Sequence, residues 1–148
     1  MKNDTMHILL ADDDEDDREF FKEAFQELKL NTKVHTVKDG HELMVYLLNT
    51  DMELPHVIFL DLNMPRKTGM ECLKEIKMIE RLKDITIAIY STSSSHDDIE
   101  DTFVKGANVY IKKPNDFSTL KKVLSEVITL NWQYYTSGLN RDNFFLSI

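Results

Sequence analysis

The chain has 148 residues, of which 42% are hydrophobic and 30% are charged, as in an ordinary single globular domain. Acidic residues outnumber basic ones by 26 to 18, and the formal charge of −8 gives the chain no general attraction to nucleic acid or to anionic membranes. No apolar run approaches the ~20 residues of a membrane span, and the N-terminus lacks a signal-peptide pattern. The single cysteine, Cys72, excludes an internal disulfide. We therefore expect a cytoplasmic protein.

Five short apolar runs predict β-strands, at residues 8–11, 34–37, 57–60, 85–90 and 109–111. The first, third and fourth runs are apolar throughout, which is typical of strands that are covered on both faces of a sheet. The second and fifth runs are more mixed in polarity, which favours the two edges of the sheet.

Each predicted strand is followed by a segment with apolar residues at helical spacing. After the first strand, for example, Phe21, Ala24, Phe25 and Leu28 fall on one face of a helix. The order is therefore (βα)₅, and strict alternation predicts an α/β fold with a parallel sheet and helices on both faces. The expected strand order is 2-1-3-4-5, the doubly wound, flavodoxin-like arrangement, in which a site forms at the carboxyl ends of the strands.

Polar side chains lie at the carboxyl ends of four predicted strands. Asp12 and Asp13 follow the first strand, Asp61 follows the third, the fourth ends at Ser91, and the fifth leads to Lys113. Because these ends meet at one edge of a parallel sheet, we expect the groups to converge. Three carboxylates repel one another, and a hard divalent cation such as Mg²⁺, for which Mn²⁺ could substitute, would relieve that repulsion. A carboxylate beside such a cation could attack phosphorus and form an acyl phosphate.

Each of these residues also has a simpler interpretation when it is taken alone. The acidic residues 14–17 are expected to stabilise the N-terminus of the first helix, and the two aspartates before them could equally belong to a surface loop. The serine could be a turn hydroxyl, and the lysine could be a solvated surface charge. Residues 12–23 match part of a calcium-binding loop of the EF-hand type, but Asp17 stands where that loop requires glycine.

Four motifs in order along the chain resemble the receiver domain of two-component response regulators. The motifs are Leu9-Leu10-Ala11-Asp12-Asp13-Asp14, Leu60-Asp61-Leu62-Asn63-Met64-Pro65 with Gly69 beyond it, Ile89-Tyr90-Ser91, and Gly106-Ala107-Asn108-Val109-Tyr110-Ile111-Lys112-Lys113-Pro114. The resemblance implies a receiver domain at residues 1–130, followed by a C-terminal aromatic extension at residues 131–148 without a separate effector domain. Stand-alone receivers have this organisation.

The resemblance implies a phosphorylation site and a metal site. Asp61 matches the phosphoacceptor aspartate, Asp13 matches the direct Mg²⁺ ligand, and Asp12 matches an acidic neighbour that acts largely through water. Asn63 matches the position whose backbone carbonyl completes the metal site. Lys113 matches the lysine that pairs with the phosphoryl group.

The resemblance also implies a conformational switch. Ser91 matches the hydroxyl residue that binds the phosphoryl group, although threonine is commoner at this position. Tyr110 matches an aromatic residue that moves between exposed and buried rotamers as that hydroxyl moves. The peptide bond before Pro114 is expected to be cis. Ser93 occupies one of the variable positions that, in this family, tune the lifetime of the acyl phosphate.

The implied function is a signalling switch rather than an enzyme with an external substrate. A sensor histidine kinase or a histidine phosphotransfer protein would donate the phosphoryl group, and the receiver itself would help to catalyse its own phosphorylation and dephosphorylation. The face formed by the fourth helix, the fifth strand and the fifth helix would then control a protein target, and this face or the extension could form a homodimer. The extension carries aromatic residues that are expected to pack on the core or to contact a partner: Trp132, Tyr134, Tyr135, Phe144 and Phe145.

Three other classes of protein share part of this pattern. A phosphatase of the haloacid-dehalogenase type also uses an aspartate nucleophile, but it requires a second aspartate where this chain has Asn63. A flavodoxin-like electron carrier requires a phosphate-binding loop after the first strand, where the acidic residues 12–17 would repel a phosphate. A degenerate receiver would bind its partner without phosphorylation, yet this chain retains the full set of matching site residues.

Overall fold

Strands and helices alternate throughout the computed structural model, which describes residues 5–137 and 146–147. The strands are β1 (Met6–Ala11), β2 (Thr32–Val37), β3 (Val57–Leu60), β4 (Thr86–Ser91), β5 (Val109–Lys112) and β6 (Leu146–Ser147). The helices are α1 (Glu15–Leu28), α2 (Gly40–Leu48), α3 (Gly69–Met78), α4 (His96–Val104) and α5 (Phe117–Ser137). The alternation of five strands with five helices is therefore confirmed.

The strands form one parallel sheet in the order β2-β1-β3-β4-β5-β6. The predicted order of the first five strands is confirmed, and β2 lies at an edge as expected. The expectation that β5 forms the other edge is wrong, because Val109 and Tyr110 pair with Leu146 and Ser147 of β6. A strand of two residues is too short to produce a periodic pattern in the sequence.

Each face of the sheet has its own hydrophobic core. Successive side chains of a strand point to opposite faces. On β1, Leu9 and Ala11 belong to the core beneath α2, α3 and α4, whereas Ile8 and Leu10 belong to the core beneath α1 and α5. The central strands are thus buried on both faces of the sheet.

Helix α1 begins where the side chain of Asp14 caps it. One carboxylate oxygen of Asp14 accepts hydrogen bonds from the backbone N–H groups of Asp16 (2.9 Å) and Asp17 (3.2 Å). Acidic residues in a first turn are stabilised by the helix dipole, so the interpretation of residues 14–17 as helix N-terminal acids is confirmed. The EF-hand interpretation is wrong, because residues 15–23 of this segment belong to helix α1 instead of forming a calcium-binding loop.

The last helix runs past the predicted domain boundary at residue 130 and ends at Ser137. The side chains of the aromatic extension lie outside the described residues, so its packing against the core or a partner stays a prediction. Within residues 5–137 and 146–147, no helix combines the length and the apolar character that crossing a bilayer requires.

Two histidines hold β1 to the segment before β3 at the amino-terminal edge of the sheet. The backbone N–H of His7 donates to Nδ1 of His56 (2.9 Å), and the backbone N–H of His56 donates to the carbonyl oxygen of His7 (2.8 Å). Because Nδ1 accepts a hydrogen bond, the His56 ring is neutral in this arrangement. Burial and the neighbouring His7 lower the pKa of His56 from its usual 6.5, although Glu53 opposes this shift.

We expect this contact to make the protein less stable as the pH falls below about 6.5, because the unfolded chain then binds a proton that folded His56 resists. The free energy of unfolding should therefore be lower at pH 5 than at pH 7. The variant His56→Asn offers a side-chain oxygen to the same donor and should reduce the loss. Urea denaturation at both pH values measures this difference, with His41→Asn on the exposed side of α2 as the control. An unchanged pH dependence in His56→Asn would contradict the prediction.

Candidate functional site

Backbone pairing between the two central strands places Asp61 beside Asp12. Ala11 of β1 lies opposite Leu60 of β3, and the backbone N–H of Asp61 donates to the carbonyl oxygen of Ala11 (3.0 Å). Asp12 and Asp61 therefore leave the sheet side by side at its carboxyl edge. The switch point of the strand order lies between these two strands, which is where a site was expected.

Three carboxylates meet at this edge of the sheet. Asp12 and Asp61 are 0% and 5% exposed, whereas Asp13 faces solvent. One carboxylate oxygen from each of the three lies within 4.8 Å of the others. Oxygen ligands at this spacing suit a hard divalent cation, and the exposed side chain of Asp13 leaves room for the waters that Mg²⁺ retains. The acidic cluster could therefore hold a metal ion.

The ammonium group of Lys113 balances part of this negative charge. Its Nζ lies 2.8 Å from Oδ2 of Asp12, 2.9 Å from Oδ2 of Asp17 and 3.6 Å from Oδ2 of Asp61. The contact with Asp12 is a close ion pair that is not aligned as a hydrogen bond, so among the described residues this buried oxygen has no aligned donor. Burial alone would lower the pKa of Lys113, but the contacts with Asp12 and Asp17 outweigh burial and raise it. Lys113 is thus a permanent cation within the cluster.

Burial makes the two inner carboxyl groups harder to ionise. It raises the pKa of Asp61 from 3.8 to about 6, Lys113 opposes the rise only in part, and Asp12 adds to it. Burial also raises the pKa of Asp12, against the contact with Lys113 and the hydrogen bond from the backbone N–H of Asp14 (3.0 Å). Without a metal ion the site therefore carries an electrostatic penalty that a divalent cation would relieve.

The variant Asp61→Asn should be more stable than the wild type in the absence of metal at neutral pH. A carboxyl group with a raised folded-state pKa contributes its full stability below about pH 4 and loses it as the pH rises through about 6. Removing the charge should add roughly 2 kcal/mol to the free energy of unfolding at pH 7.5 and almost nothing near pH 4. Urea denaturation in EDTA measures both values, and Asp51→Asn at an exposed position is the control. A wild type as stable as Asp61→Asn at pH 7.5 would refute the expectation.

The loop after β3 is held close to the site by Gly69. The backbone N–H of Gly69 donates to the carbonyl oxygen of Leu62 (3.0 Å). A Cβ atom at this position would lie 2.1 Å from the carbonyl oxygen of Asp61, so the loop passes where only glycine fits. Asn63 in this loop is exposed, and its backbone N–H lies 3.4 Å from Oδ1 of Asp61. Asn63 is therefore beside the site, and the use of its carbonyl as a metal ligand stays a prediction.

Ser91 and Tyr110 are linked through Ser93. Ser91 is the buried last residue of β4, and its Oγ accepts a hydrogen bond from the backbone N–H of Ser93 (3.1 Å). The hydroxyl of the buried Tyr110 donates to the carbonyl oxygen of Ser93 (2.9 Å). Ser93 Oγ in turn donates to the carboxylate of Asp98 in α4 (2.7 Å). A movement of Ser91 would thus alter contacts of both Tyr110 and α4.

One expectation about this edge of the sheet is wrong. No peptide bond of the described residues is cis, so the bond before Pro114 is trans. A trans bond before proline is favoured by about 0.5–1 kcal/mol, and Lys113 reaches Asp12, Asp17 and Asp61 with this bond in the trans form.

Two residues of the site were missed from the sequence. Asp17 was assigned only to the helix start, yet its carboxylate contacts Lys113. Arg18 was not singled out, yet its Nη1 donates to the carbonyl oxygen of Asp12 (2.8 Å). No local pattern indicated either contact, because both depend on how the first turn of α1 sits relative to the ends of β1 and β5.

The family model for the response regulator receiver domain matches residues 8–125 of the chain. The chain belongs to this family. Among curated proteins, this receiver is similar to the probable methanogenesis regulatory protein FilR2 of Methanothrix harundinacea, with 31% identity over 141 residues that cover 93% of this chain and 88% of that protein. It is also similar to the response regulator Rcp1 of Synechocystis, with 29% identity over 124 residues that cover 81% and 84% of the two chains.

Comparison with solved structures also identifies response regulators as similar proteins. The crystal structure of the phosphorylated cyanobacterial phytochrome response regulator RcpA has a TM-score of 0.78 and 32% identity to this receiver, covering 92% of this chain and 97% of that one. The Mn²⁺-bound form of Rcp1 has a TM-score of 0.76 and 26% identity, covering 91% and 97%. The receiver is therefore a response regulator of two-component signal transduction, a class of signalling switches that interact with histidine kinases or phosphotransfer proteins and with downstream targets.

Proposed function

We propose that Asp61 accepts a phosphoryl group from a phosphohistidine of a sensor histidine kinase or a histidine phosphotransfer protein. The observation that carries this proposal is the position of the buried Asp61 carboxylate, beside two further carboxylates and 3.6 Å from the ammonium group of Lys113. A nucleophile toward phosphorus needs positive charge around it, because the incoming phosphoryl group is itself an anion. The phosphorylated form of the similar protein RcpA gives further support.

Different residues of the chain would have different roles in the phosphoryl transfer. A carboxylate oxygen of Asp61 would attack phosphorus, while the bond from phosphorus to the donor imidazole breaks and the imidazole leaves. Mg²⁺, or Mn²⁺ in its place, would be held by Asp13 and Asp61, with Asp12 acting through water and the carbonyl of Asn63, and would neutralise charge on the phosphoryl oxygens. Lys113 would pair with a further phosphoryl oxygen. The Mn²⁺-bound form of the similar Rcp1 agrees with this choice of cation.

Phosphorylation would then change the face formed by α4, β5 and α5. Ser91 would turn its hydroxyl toward the phosphoryl group and lose the hydrogen bond from the backbone N–H of Ser93. Ser93 also forms hydrogen bonds with Tyr110 and with Asp98 of α4, so these contacts would change as well. Helix α4 also carries two exposed hydrophobic side chains, Phe103 and Val104, which are 47% and 75% exposed. We propose this α4-β5-α5 face as the surface for a protein target or a homodimer. The receiver domain would span residues 1–130, with residues 131–148 as an extension that could also contribute to a dimer.

Intact-protein mass spectrometry after incubation with acetyl phosphate and Mg²⁺ tests the proposal. The wild type should gain one phosphoryl group, and the gain should be lost in EDTA and in Asp61→Asn. If the wild type shows no mass gain, the incubation is repeated with beryllofluoride, which mimics a bound phosphoryl group. The Tyr110 resonances are then followed by NMR. No mass gain and no spectral change would contradict the proposal and favour a binding module that works without phosphorylation.

A further inference from the structure

Lys113 has one carboxylate partner that is separate from the metal-binding group. Asp12, Asp13 and Asp61 form the cluster that could hold a cation, and Asp17 is outside it. The Nζ of Lys113 nevertheless donates a hydrogen bond to Oδ2 of Asp17 (2.9 Å), across 96 residues of sequence. This contact joins the first turn of α1 to the end of β5.

The position of Asp17 is fixed by its neighbours rather than by Lys113. Its backbone N–H donates to the Asp14 side chain (3.2 Å) that caps α1. The next residue, Arg18, donates from Nη1 to the carbonyl oxygen of Asp12 (2.8 Å), which ties this helical turn to the end of β1. The carboxylate of Asp17 is therefore presented at a defined point on the rim of the site, and its side chain is 36% exposed.

The contact with Asp17 affects where the ammonium group rests relative to Asp61. Lys113 lies 2.9 Å from Asp17 but 3.6 Å from Asp61, which is an ion pair without direct hydrogen bonding. The ammonium group already lies 2.8 Å from Asp12, so if it were released from Asp17 it would gain most by moving toward the buried oxygens of Asp61, because charges attract more strongly away from solvent. There it would occupy oxygens that a divalent cation needs.

We propose that Asp17 is a positioning residue for Lys113, which holds the ammonium group at the rim of the site and leaves the oxygens of Asp61 to the cation. The inference rests on the proposed function of Asp61. When the cation takes Asp12, Asp17 is the remaining hydrogen-bonded carboxylate partner of Lys113 within the described part of the chain. Asp17 thereby keeps Lys113 within reach of a phosphoryl group that arrives on Asp61.

Three variants separate this role from a general effect of charge. Asp17→Asn removes the partner of Lys113, Asp17→Glu keeps a carboxylate in reach, and Asp16→Asn removes an equal charge from an exposed residue of the same helical turn. Calorimetric titration with Mg²⁺ alone should show about two- to fivefold weaker binding in Asp17→Asn than in Asp16→Asn, a factor typical of one partly exposed ion pair. Asp17→Glu should recover most of the loss.

Two further readouts distinguish positioning from a purely structural effect. The Nζ resonance of Lys113 in the metal-free protein should shift in Asp17→Asn and not in Asp16→Asn. With acetyl phosphate at saturating Mg²⁺, the maximal rate should fall about two- to fivefold in Asp17→Asn. Equal Mg²⁺ affinities and an unmoved Lys113 resonance in the two asparagine variants would overturn the inference. A wild type that neither takes a phosphoryl group nor responds to beryllofluoride would instead overturn the proposed function, because the Lys113 resonance reports the contact without phosphorylation.

Discussion

Replacing Lys113 by methionine should lower the free energy of unfolding of the metal-free protein by roughly 3 kcal/mol at pH 7.5. Methionine retains the length of the side chain but removes the ammonium group. Among the described residues, Asp12 and Asp61 have an ion pair with Lys113 and with no other cation, so both would become buried carboxylates without a countercharge. Breaking a buried pair from one side is far more destabilising than the pair is stabilising.

The loss in Lys113→Met should depend on pH and on the cation. Near pH 5 the variant should approach the wild type, because protonated carboxyl groups need no countercharge. Mg²⁺ at neutral pH should restore most of the lost stability. Urea denaturation with EDTA and with Mg²⁺ measures these differences, and the control is Lys112→Met, which removes the exposed lysine beside it. Equal destabilisation by the two methionine variants would rule out a special role for the Lys113 charge.

Replacing Gly69 by alanine should also destabilise the protein by roughly 3 kcal/mol, since a Cβ atom is forced against packed atoms. That atom would lie 2.1 Å from the carbonyl oxygen of Asp61 and 2.8 Å from Cα of Leu62. Both neighbours are backbone atoms of the segment that leaves β3, so neither can rotate away as a flexible side chain would. The loop must shift, and Asp61 must shift with it.

Gly69→Ala should therefore change both stability and the site. We expect a lower midpoint in urea denaturation, together with weaker Mg²⁺ binding by calorimetry in the fraction that remains folded. Lys74→Ala, on the exposed side of the same helix, controls for an alanine in α3. Stability and Mg²⁺ affinity close to those of the wild type would show that the loop accommodates a methyl group, contrary to this expectation.

The sequence predicted best those features that depend on local hydrophobicity and on the order of strands along the chain. The apolar runs of β1 and β3 predicted central strands, and the aspartates after them predicted the position of the acidic cluster. Contacts between distant elements were not predictable. The hydrogen bond between Asp17 and Lys113 depends on how α1 sits relative to β5, and no local pattern encodes that placement.

Two other features could not be predicted from the sequence, for different physical reasons. Strand β6 has only two residues, fewer than any periodic pattern needs. The raised pKa of Asp61 depends on how completely the surrounding elements exclude water, which is a property of the packed site rather than of the residues themselves. In both cases the information lies in the assembled structure.

The single cysteine gives the protein a built-in reporter of local opening. Cys72 of α3 is fully buried, and its Sγ lies 3.6 Å from the carbonyl oxygen of Gly40 at the start of α2. Burial raises the pKa of its thiol to about 11, so at neutral pH almost no reactive thiolate exists in the closed form. A thiol reagent should therefore label Cys72 only when α2 and α3 separate, and the labelling rate would measure that separation in the unmodified protein.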